Sequence, residues 1–198
     1  MDSAEWDSRY AKAELEWGAE PNRFLVEEVE GLEPGRALDV AAGEGRNAVW
    51  LAERGWSVTA VDFSGVAVAK ARRLARERSV EVEWVTADVV RYYPAESSFD
   101  LVIVFYLHLS ARDMATVLRR AAGALRPGAT LLVVGHDRAN LAHGVGGPQD
   151  PAILLDAHEV ATELDGLEVK KAERVRRPVA GAERDALDTL VRAVRPRT

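Results

Sequence analysis

The residues of this sequence that are best placed for chemistry lie in one short segment with a carboxylate and two glycines. The segment runs from Ala37 to Ala48; Asp39 lies within its apolar part and is followed by Gly43 and Gly45. Glycine has no Cβ, so such a turn lets backbone N–H groups approach a ligand closely. A helix that begins after the turn directs its unpaired N–H groups at the same point, which favours an anion. The segment therefore predicts a binding site for a nucleotide-like cofactor.

The spacing of the glycines does not by itself decide which cofactor binds. The stretch from Gly43 to Ala48 fits the loose dinucleotide fingerprint, and Asp62, at the end of the second predicted strand, could accept hydrogen bonds from the ribose of either cofactor class. Asp39 is more selective, because a carboxylate there suits a ligand with a cationic amino group, which a methionine moiety has and a pyrophosphate lacks. Asp88, after the third predicted strand, could accept from an adenine amino group.

The elements that must position these residues alternate along the chain. From Ala37 onward, apolar strands alternate with amphipathic helices, the pattern of a parallel sheet covered on both faces. The segment around Pro178 and Gly181 is too short for a crossover helix, so the last two strands are expected to be antiparallel. The sequence predicts an α/β fold with a Rossmann-like, doubly wound sheet of five parallel strands, a C-terminal antiparallel pair and an N-terminal helical arm. The predicted strands are 37–42, 57–62, 81–86, 99–105, 129–135, 167–175 and 185–194, and the predicted helices are 45–54, 65–78, 111–126 and 156–164.

The chain is expected to form a single domain over residues 1–198. Residues 1–35 are interpreted as an arm that covers the cofactor, and residues 36–198 as the Rossmann-like core. The arm has ten acidic and three basic residues, whereas the rest of the chain is nearly neutral. A glycine-rich stretch from Asp137 to Pro151 is predicted to be an irregular loop, and loops of that length are often functional.

The composition excludes several classes of function. The absence of cysteine excludes disulfides, thiolate nucleophiles, thiolate zinc sites and iron–sulfur clusters, and no metal site is expected. The net charge of −6 argues against a general nucleic-acid-binding protein. The apolar runs are strand-sized and too short to cross a membrane, and there is no signal-peptide pattern at the N-terminus. A cytoplasmic protein is therefore expected.

With these motifs the sequence resembles the class I S-adenosylmethionine-dependent methyltransferases, and within them the tellurite-resistance and thiopurine-methyltransferase-like small-molecule group. The resemblance implies S-adenosyl-L-methionine as the cofactor, a small-molecule methyl acceptor as the substrate and in-line methyl transfer as the reaction. The segments that carry it are Leu38 to Ala52, Val58 to Ser64, Ala87 to Val89, Phe99 to Val102 and Leu125 to Gly128 in the core, and Trp6 to Tyr10 and Trp17 to Asn22 in the arm.

The resemblance also implies roles for individual residues. Asp39 would orient the methionine amino group, Asp62 would hold the ribose and Phe63 would pack on the adenine. Asp88, together with the Val89 N–H, would bind the adenine edge. The full implied cofactor set is Trp6, Asp39, Ala41, Gly43, Gly45, Arg46, Asn47, Asp62, Phe63, Ala87, Asp88, Val89 and Phe105. The residues expected on the acceptor side are Tyr10, Trp17 and His143.

Two histidines are the candidates for a general base. His108 and His136 follow the fourth and fifth predicted strands, and an imidazole there could accept a proton near neutral pH. An already ionised thiol or chalcogenide would need no base. Two other functions stay open at this point, namely a non-catalytic S-adenosylmethionine sensor and a nicotinamide-dependent oxidoreductase. The sequence does not determine the oligomeric state.

Overall fold

A computed structural model describes residues 3–197 of the chain. Within these residues seven strands, mostly parallel, form one sheet in the order β3-β2-β1-β4-β5-β7-β6, so the predicted α/β fold is confirmed. The strands are β1 (Arg36–Val40), β2 (Ser57–Asp62), β3 (Glu83–Thr86), β4 (Phe99–Phe105), β5 (Leu125–His136), β6 (Glu168–Arg177) and β7 (Ala186–Val194). The helices are α1 (Ser3–Tyr10), α2 (Arg23–Val29), α3 (Arg46–Glu53), α4 (Gly65–Glu77), α5 (Ala111–Ala124), α6 (Asn140–His143), α7 (Ala157–Thr162) and a 3₁₀ turn (Pro151–Ile153).

The structure consists of two compact units. The first contains residues 3–93 and 98–103, and the second contains residues 94–97 and 104–197. The first unit therefore holds α1 to α4, β1 to β3 and most of β4, and the second holds α5 to α7 and β5 to β7. The predicted single domain over the whole chain stays a prediction. Within the described residues, no helix is long and apolar enough to cross a membrane.

In the first unit, β1 and β2 are paired parallel strands that are almost wholly buried. Arg36 lies opposite Ser57 at the start of the pair, and both strands are buried from their second residue onward, as expected for strands covered on both faces. β3 is parallel to β2 and begins at Glu83, opposite Thr59. The prediction that β3 begins at residue 81 is wrong, because this register leaves residues 81 and 82 ahead of the paired segment.

In the second unit, the predicted C-terminal antiparallel pair is confirmed. β7 is antiparallel to β5, with Asp188 opposite His136, and β6 is antiparallel to β7, with Arg177 opposite Ala186. β7 is buried along most of its length, whereas β6 is largely exposed. Because β7 pairs with both strands, the C-terminal end of β6, with Arg177, lies near Asp188 and the C-terminal end of β5.

The boundary between α5 and β5 differs from the prediction. The helix ends at Ala124 instead of residue 126, and the strand begins at once with Leu125 instead of residue 129. Pro127 explains the difference, because a proline disfavours helical geometry in the residue before it.

The predicted irregular loop over residues 137–151 is partly ordered by hydrogen bonds. It contains the short helix α6, whose first residue, Asn140, is buried. The Asn140 Oδ1 accepts from the Leu187 N–H at 2.8 Å, and its Nδ2 donates to the Gly146 carbonyl at 2.8 Å. A buried amide that satisfies two backbone groups has no signature in sequence periodicity, so the prediction missed it.

Candidate functional site

The predicted site residues divide between the two units, and the first unit holds the glycine turn. Asp39, two residues before the turn that begins at Ala41, is only 1% exposed. Its Oδ2 has no hydrogen-bond partner among the described residues. Burial, and then the charge of Asp62, raises the pKa of Asp39 to about 7. A buried carboxylate oxygen without a donor is rare in folded proteins and indicates a place where a ligand donor is expected.

Asp62, at the end of β2, organises the turn directly. Its two carboxylate oxygens accept hydrogen bonds from the Gly43 N–H at 2.8 Å and the Ser64 N–H at 2.9 Å. Its backbone carbonyl accepts from the Ala87 N–H at 2.9 Å. Burial raises the pKa of Asp62 above its ordinary value. Asp62 therefore joins the turn after β1, the start of α4 and the segment after β3.

Gly45 is required by both its conformation and its surroundings. It has φ +81°, in the left-handed region that favours glycine, and it caps α3. A Cβ at this position would overlap the Trp84 ring and lie 2.8 Å from the Ala71 Cβ. Glycine is therefore required here for the packing of Trp84 and Ala71 against the turn as well as for its conformation.

The N-terminal arm covers the glycine turn. Tyr10 is 5% exposed, and its hydroxyl lies 3.0 Å from where a Gly43 Cβ would be. Burial, followed by the charge of Asp62, raises the pKa of Tyr10. Trp6 stacks on Tyr10 with ring centroids 5.3 Å apart. Trp17 stays 45% exposed. The arm thus places Tyr10 against the turn, whereas Trp17 stays partly exposed with the Arg9 guanidinium 4.7 Å over its ring.

Glu44, between the two glycines, fastens the arm to the turn. Its carboxylate is 3% exposed; one oxygen accepts from the Glu16 N–H at 2.7 Å, and the other lies 3.0 Å from the Lys70 Nζ. Lys70 also donates to the carbonyls of Tyr10 and Ala13. The sequence analysis did not identify this ion pair, although a charged residue between two motif glycines was a visible signal.

Two predicted cofactor residues contact the arm. The Arg46 Nη1 donates to the Trp17 carbonyl at 3.0 Å, and the Asn47 Oδ1 accepts from the Asn22 N–H at 2.9 Å. These bonds tie the start of α3 to the arm. A cofactor role for Arg46 and Asn47 stays a prediction.

Loss of the Glu44 carboxylate should release the arm. We expect Glu44→Ala to lower the free energy of unfolding by about 2 kcal/mol, because it leaves Lys70 partly buried without its anion, and to speed trypsin cleavage within residues 11–22. Glu14→Ala is the matched control, since Glu14 is 80% exposed in its pair with Arg73, and such pairs contribute little. Equal cleavage rates in both variants would contradict the fastening role.

The remaining first-unit residues lie around the ends of the same strands. Ala41 adopts φ +63° directly after β1. Phe63 is half-buried and Val89 is buried. Asp88 is exposed, and its Oδ1 accepts from the Val90 N–H at 2.9 Å, which orders the turn after β3. The structure therefore gives Asp88 a turn-forming contact and leaves its other oxygen toward solvent, beside Arg91 at 3.7 Å.

The second unit brings both candidate histidines together. The His108 and His136 rings stack almost parallel, with centroids 5.5 Å apart and an interplanar angle of 9°. Tyr106, at φ +52°, places its ring edge against His136 at 5.1 Å. Phe105 is buried at the end of β4, and His143 is exposed on α6.

A buried carboxylate that the sequence analysis missed lies behind His136. Asp188 is 0% exposed, and its Oδ1 lies 3.2 Å from the His136 Nδ1. Its Oδ2 accepts from the Tyr106 hydroxyl at 2.8 Å and from the Arg177 Nε at 2.7 Å. Burial acts to raise the pKa of Asp188, but the adjacent His136 and the hydrogen bonds from Arg177 and Tyr106 outweigh it and hold this pKa below its usual range. The sequence feature that could have revealed Asp188 is a lone carboxylate within a mostly apolar strand, as for Asp39.

Comparisons with known proteins support the resemblance seen in the sequence. Residues 37–128 match the sequence model of a methyltransferase domain family. The chain is 32% identical over 124 residues to a demethylmenaquinone methyltransferase of Thermus thermophilus, an alignment that covers 62% of this chain and 54% of that protein. The chain spans about half the length of the curated relatives that it matches.

Solved methyltransferase structures share the fold. The N-methyltransferase NodS from Bradyrhizobium japonicum, crystallised with S-adenosyl-L-homocysteine, superposes with a TM-score of 0.75 at 19% identity over 98% of both chains. TehB from Haemophilus influenzae superposes with a TM-score of 0.74 at 14% identity, covering 88% of this chain and 62% of that one. The predicted class I resemblance is confirmed, and the narrower tellurite-resistance and thiopurine group stays a prediction.

Proposed function

We propose that this chain, which carries a methyltransferase domain match and the class I methyltransferase fold, transfers a methyl group from S-adenosylmethionine to a small-molecule acceptor. The observation that carries the proposal is the buried Asp39 Oδ2, which has no hydrogen-bond partner among the described residues. The cationic amino group of a methionine moiety would supply the missing donor. The family match over residues 37–128 supports the same function.

The remaining cofactor contacts follow from the same turn. Asp62 would hold the ribose hydroxyls through lone pairs that its two backbone donors leave available. Gly43 and Gly45 would let the backbone approach the methionine end. Phe63 would pack on the adenine, and Asp88 would bind its amino group. Trp6 and Tyr10, on the arm, would cover the bound molecule.

The protein needs to supply little covalent chemistry for this reaction. S-adenosylmethionine supplies a methyl group that its sulfonium has already activated. The chain would place the acceptor atom about 3 Å from that methyl in line with the bond to be broken, and would exclude water. The covering arm suits the second task, because Glu44 and Lys70 hold it over the turn. His136 or His108 would take a proton from an acceptor that carries one.

Binding and turnover can be tested separately. We expect calorimetry to show S-adenosylhomocysteine binding and a thermal-shift comparison to show stabilisation by S-adenosylhomocysteine but not by NAD. Methyl transfer from labelled S-adenosylmethionine should then be measured over a panel of thiols, chalcogenide oxyanions, phenols and amines. That panel includes acceptors of the kinds expected for the predicted small-molecule group.

The possible results separate the competing functions. Stabilisation by NAD alone would favour a nicotinamide-dependent oxidoreductase. Tight S-adenosylhomocysteine binding without turnover of any acceptor would favour a non-catalytic sensor. Turnover of a panel member supports the proposed enzyme and identifies the acceptor atom.

A further inference from the structure

The cluster around His136 in the second unit has a geometry that the cofactor site does not explain. Asp188 lies opposite His136 in the β5–β7 register, with its Oδ1 3.2 Å from the His136 Nδ1. Among the described residues, neither atom has a hydrogen-bond partner, so the two lie close together without an aligned hydrogen bond. A small rotation of the imidazole would align the N–H, and such bonds often tighten only when ligands bind.

The partners of the other Asp188 oxygen determine which proton His136 carries. Tyr106 and Arg177 both donate to Asp188 Oδ2, and this carboxylate therefore stays ionised and can only accept. The proton of a neutral imidazole consequently belongs on Nδ1, which leaves Nε2 with a free lone pair.

The imidazole ring also has little freedom to turn away. His108 stacks on one side of it, and Tyr106 meets it edge-on. Gly147, at φ +77°, packs so closely that a Cβ there would lie 2.9 Å from the His136 Cγ. The ring, at 13% side-chain exposure, is therefore kept from large rotations.

We propose that Asp188 is a positioning residue that holds His136 with its proton on Nδ1, so that Nε2 accepts the proton of an O–H or N–H methyl acceptor. The inference rests on the proposed methyltransferase function. In the transfer step the acceptor's electron pair forms the new bond to the methyl carbon, and the electrons of the methyl–sulfur bond go to sulfur. The acceptor's proton goes to His136 Nε2, and Asp188 stabilises the imidazolium that results.

This arrangement favours protic acceptors over soft anions. A thiolate or chalcogenide oxyanion has no proton to lose in the transfer step. The burial of Asp188 is already compensated by Arg177 and Tyr106, so a positioned His136 adds to the rate only where the acceptor must lose a proton. The proposal therefore points to phenols, other hydroxyl compounds or amines as the acceptor class.

The tautomer of His136 is a direct readout that needs no acceptor. In ¹⁵N-histidine-labelled protein saturated with S-adenosylhomocysteine at pH 8, with His136 assigned from His136→Gln, we expect a protonated Nδ1 and a bare Nε2. In Asp188→Asn the amide oxygen should face the donors Arg177 and Tyr106. The amide NH₂ group then faces His136 Nδ1. We therefore expect His136 to change to the Nε2–H tautomer.

Asp137→Asn is the matched control. Asp137 is also buried, adjoins His136 and accepts from Arg174 Nε at 2.7 Å and Thr189 Oγ1 at 2.9 Å. This variant should keep the wild-type tautomer of His136. An unchanged tautomer in Asp188→Asn, or the same change in both variants, would overturn the positioning role.

Activity gives the second readout. With a phenol or amine that the wild type methylates, we expect Asp188→Asn and His136→Gln to lower kcat by about 10²-fold or more with KM little changed, the size of effect expected of general-base catalysis. Turnover confined to thiols or chalcogenide oxyanions would overturn the inferred acceptor class. Failure of S-adenosylhomocysteine to bind would instead count against the proposed function, and the tautomer of His136 would then be measured in the protein alone, where Asp188 should fix it in the same way.

Discussion

Asp62→Ala is expected to lose both cofactor affinity and stability. The substitution removes the acceptors of the buried Gly43 and Ser64 N–H groups, and each orphaned group costs about 1–3 kcal/mol. We expect the melting temperature to fall by roughly 5–15 °C. If Asp62 also holds the ribose, S-adenosylhomocysteine affinity should fall more than about tenfold, or about 1.4 kcal/mol, as measured by calorimetry at a temperature where the variant is folded.

Asp62→Asn separates the two effects. The amide keeps one carbonyl oxygen for a backbone donor, so this variant should be more stable than Asp62→Ala. It should still bind S-adenosylhomocysteine more weakly than wild type, because an amide can accept from fewer ribose hydroxyls. A folded Asp62→Ala protein with wild-type affinity would contradict the ribose assignment.

Asp39→Asn is expected to act in opposite directions on binding and stability. At pH 8 the wild-type carboxylate is charged although burial and Asp62 disfavour the charge, so the neutral amide should raise the melting temperature by a few degrees. The same substitution removes the anion that the cofactor's amino group would meet. We expect S-adenosylhomocysteine affinity to fall by about 10- to 100-fold, the range for a hydrogen bond to a charged group.

The pH dependence of the wild type should follow from Asp39. Its pKa is raised from 3.8 to about 7 in the folded protein. Its contribution to stability is therefore fully present below about pH 4 and is lost as the pH rises to about 7. Affinity for a cationic amino group changes in the opposite sense, because that group needs the ionised carboxylate. We expect S-adenosylhomocysteine to bind more tightly at pH 8 than at pH 6, and Asp39→Asn to abolish this difference.

Asp100→Asn is the control for these measurements. Asp100 is also a strand carboxylate of the first unit, and its Oδ2 accepts from the Arg36 N–H at 2.7 Å. It should leave S-adenosylhomocysteine affinity and its pH dependence unchanged. An affinity that falls equally in Asp39→Asn and Asp100→Asn would show that Asp39 has no specific role.

The sequence by itself determined the elements and the order in which they follow one another. Strand and helix periods are local, so β2 and β4 match their predicted bounds. The glycine turn was visible for the same reason, because Asp39, Gly43 and Gly45 are close in sequence. Even the antiparallel ending followed from a connection too short for a crossover helix.

Only the tertiary structure decided which residues distant in the sequence form hydrogen bonds and ion pairs with one another. Glu44 meets Lys70 and the arm across 26 or more residues, and Asp188 meets Tyr106 across 82. No local period encodes such pairs, since they depend on which strand ends adjoin after the chain has folded. For that reason the sequence predicted two histidines as possible bases, and only the folded chain showed a carboxylate behind His136.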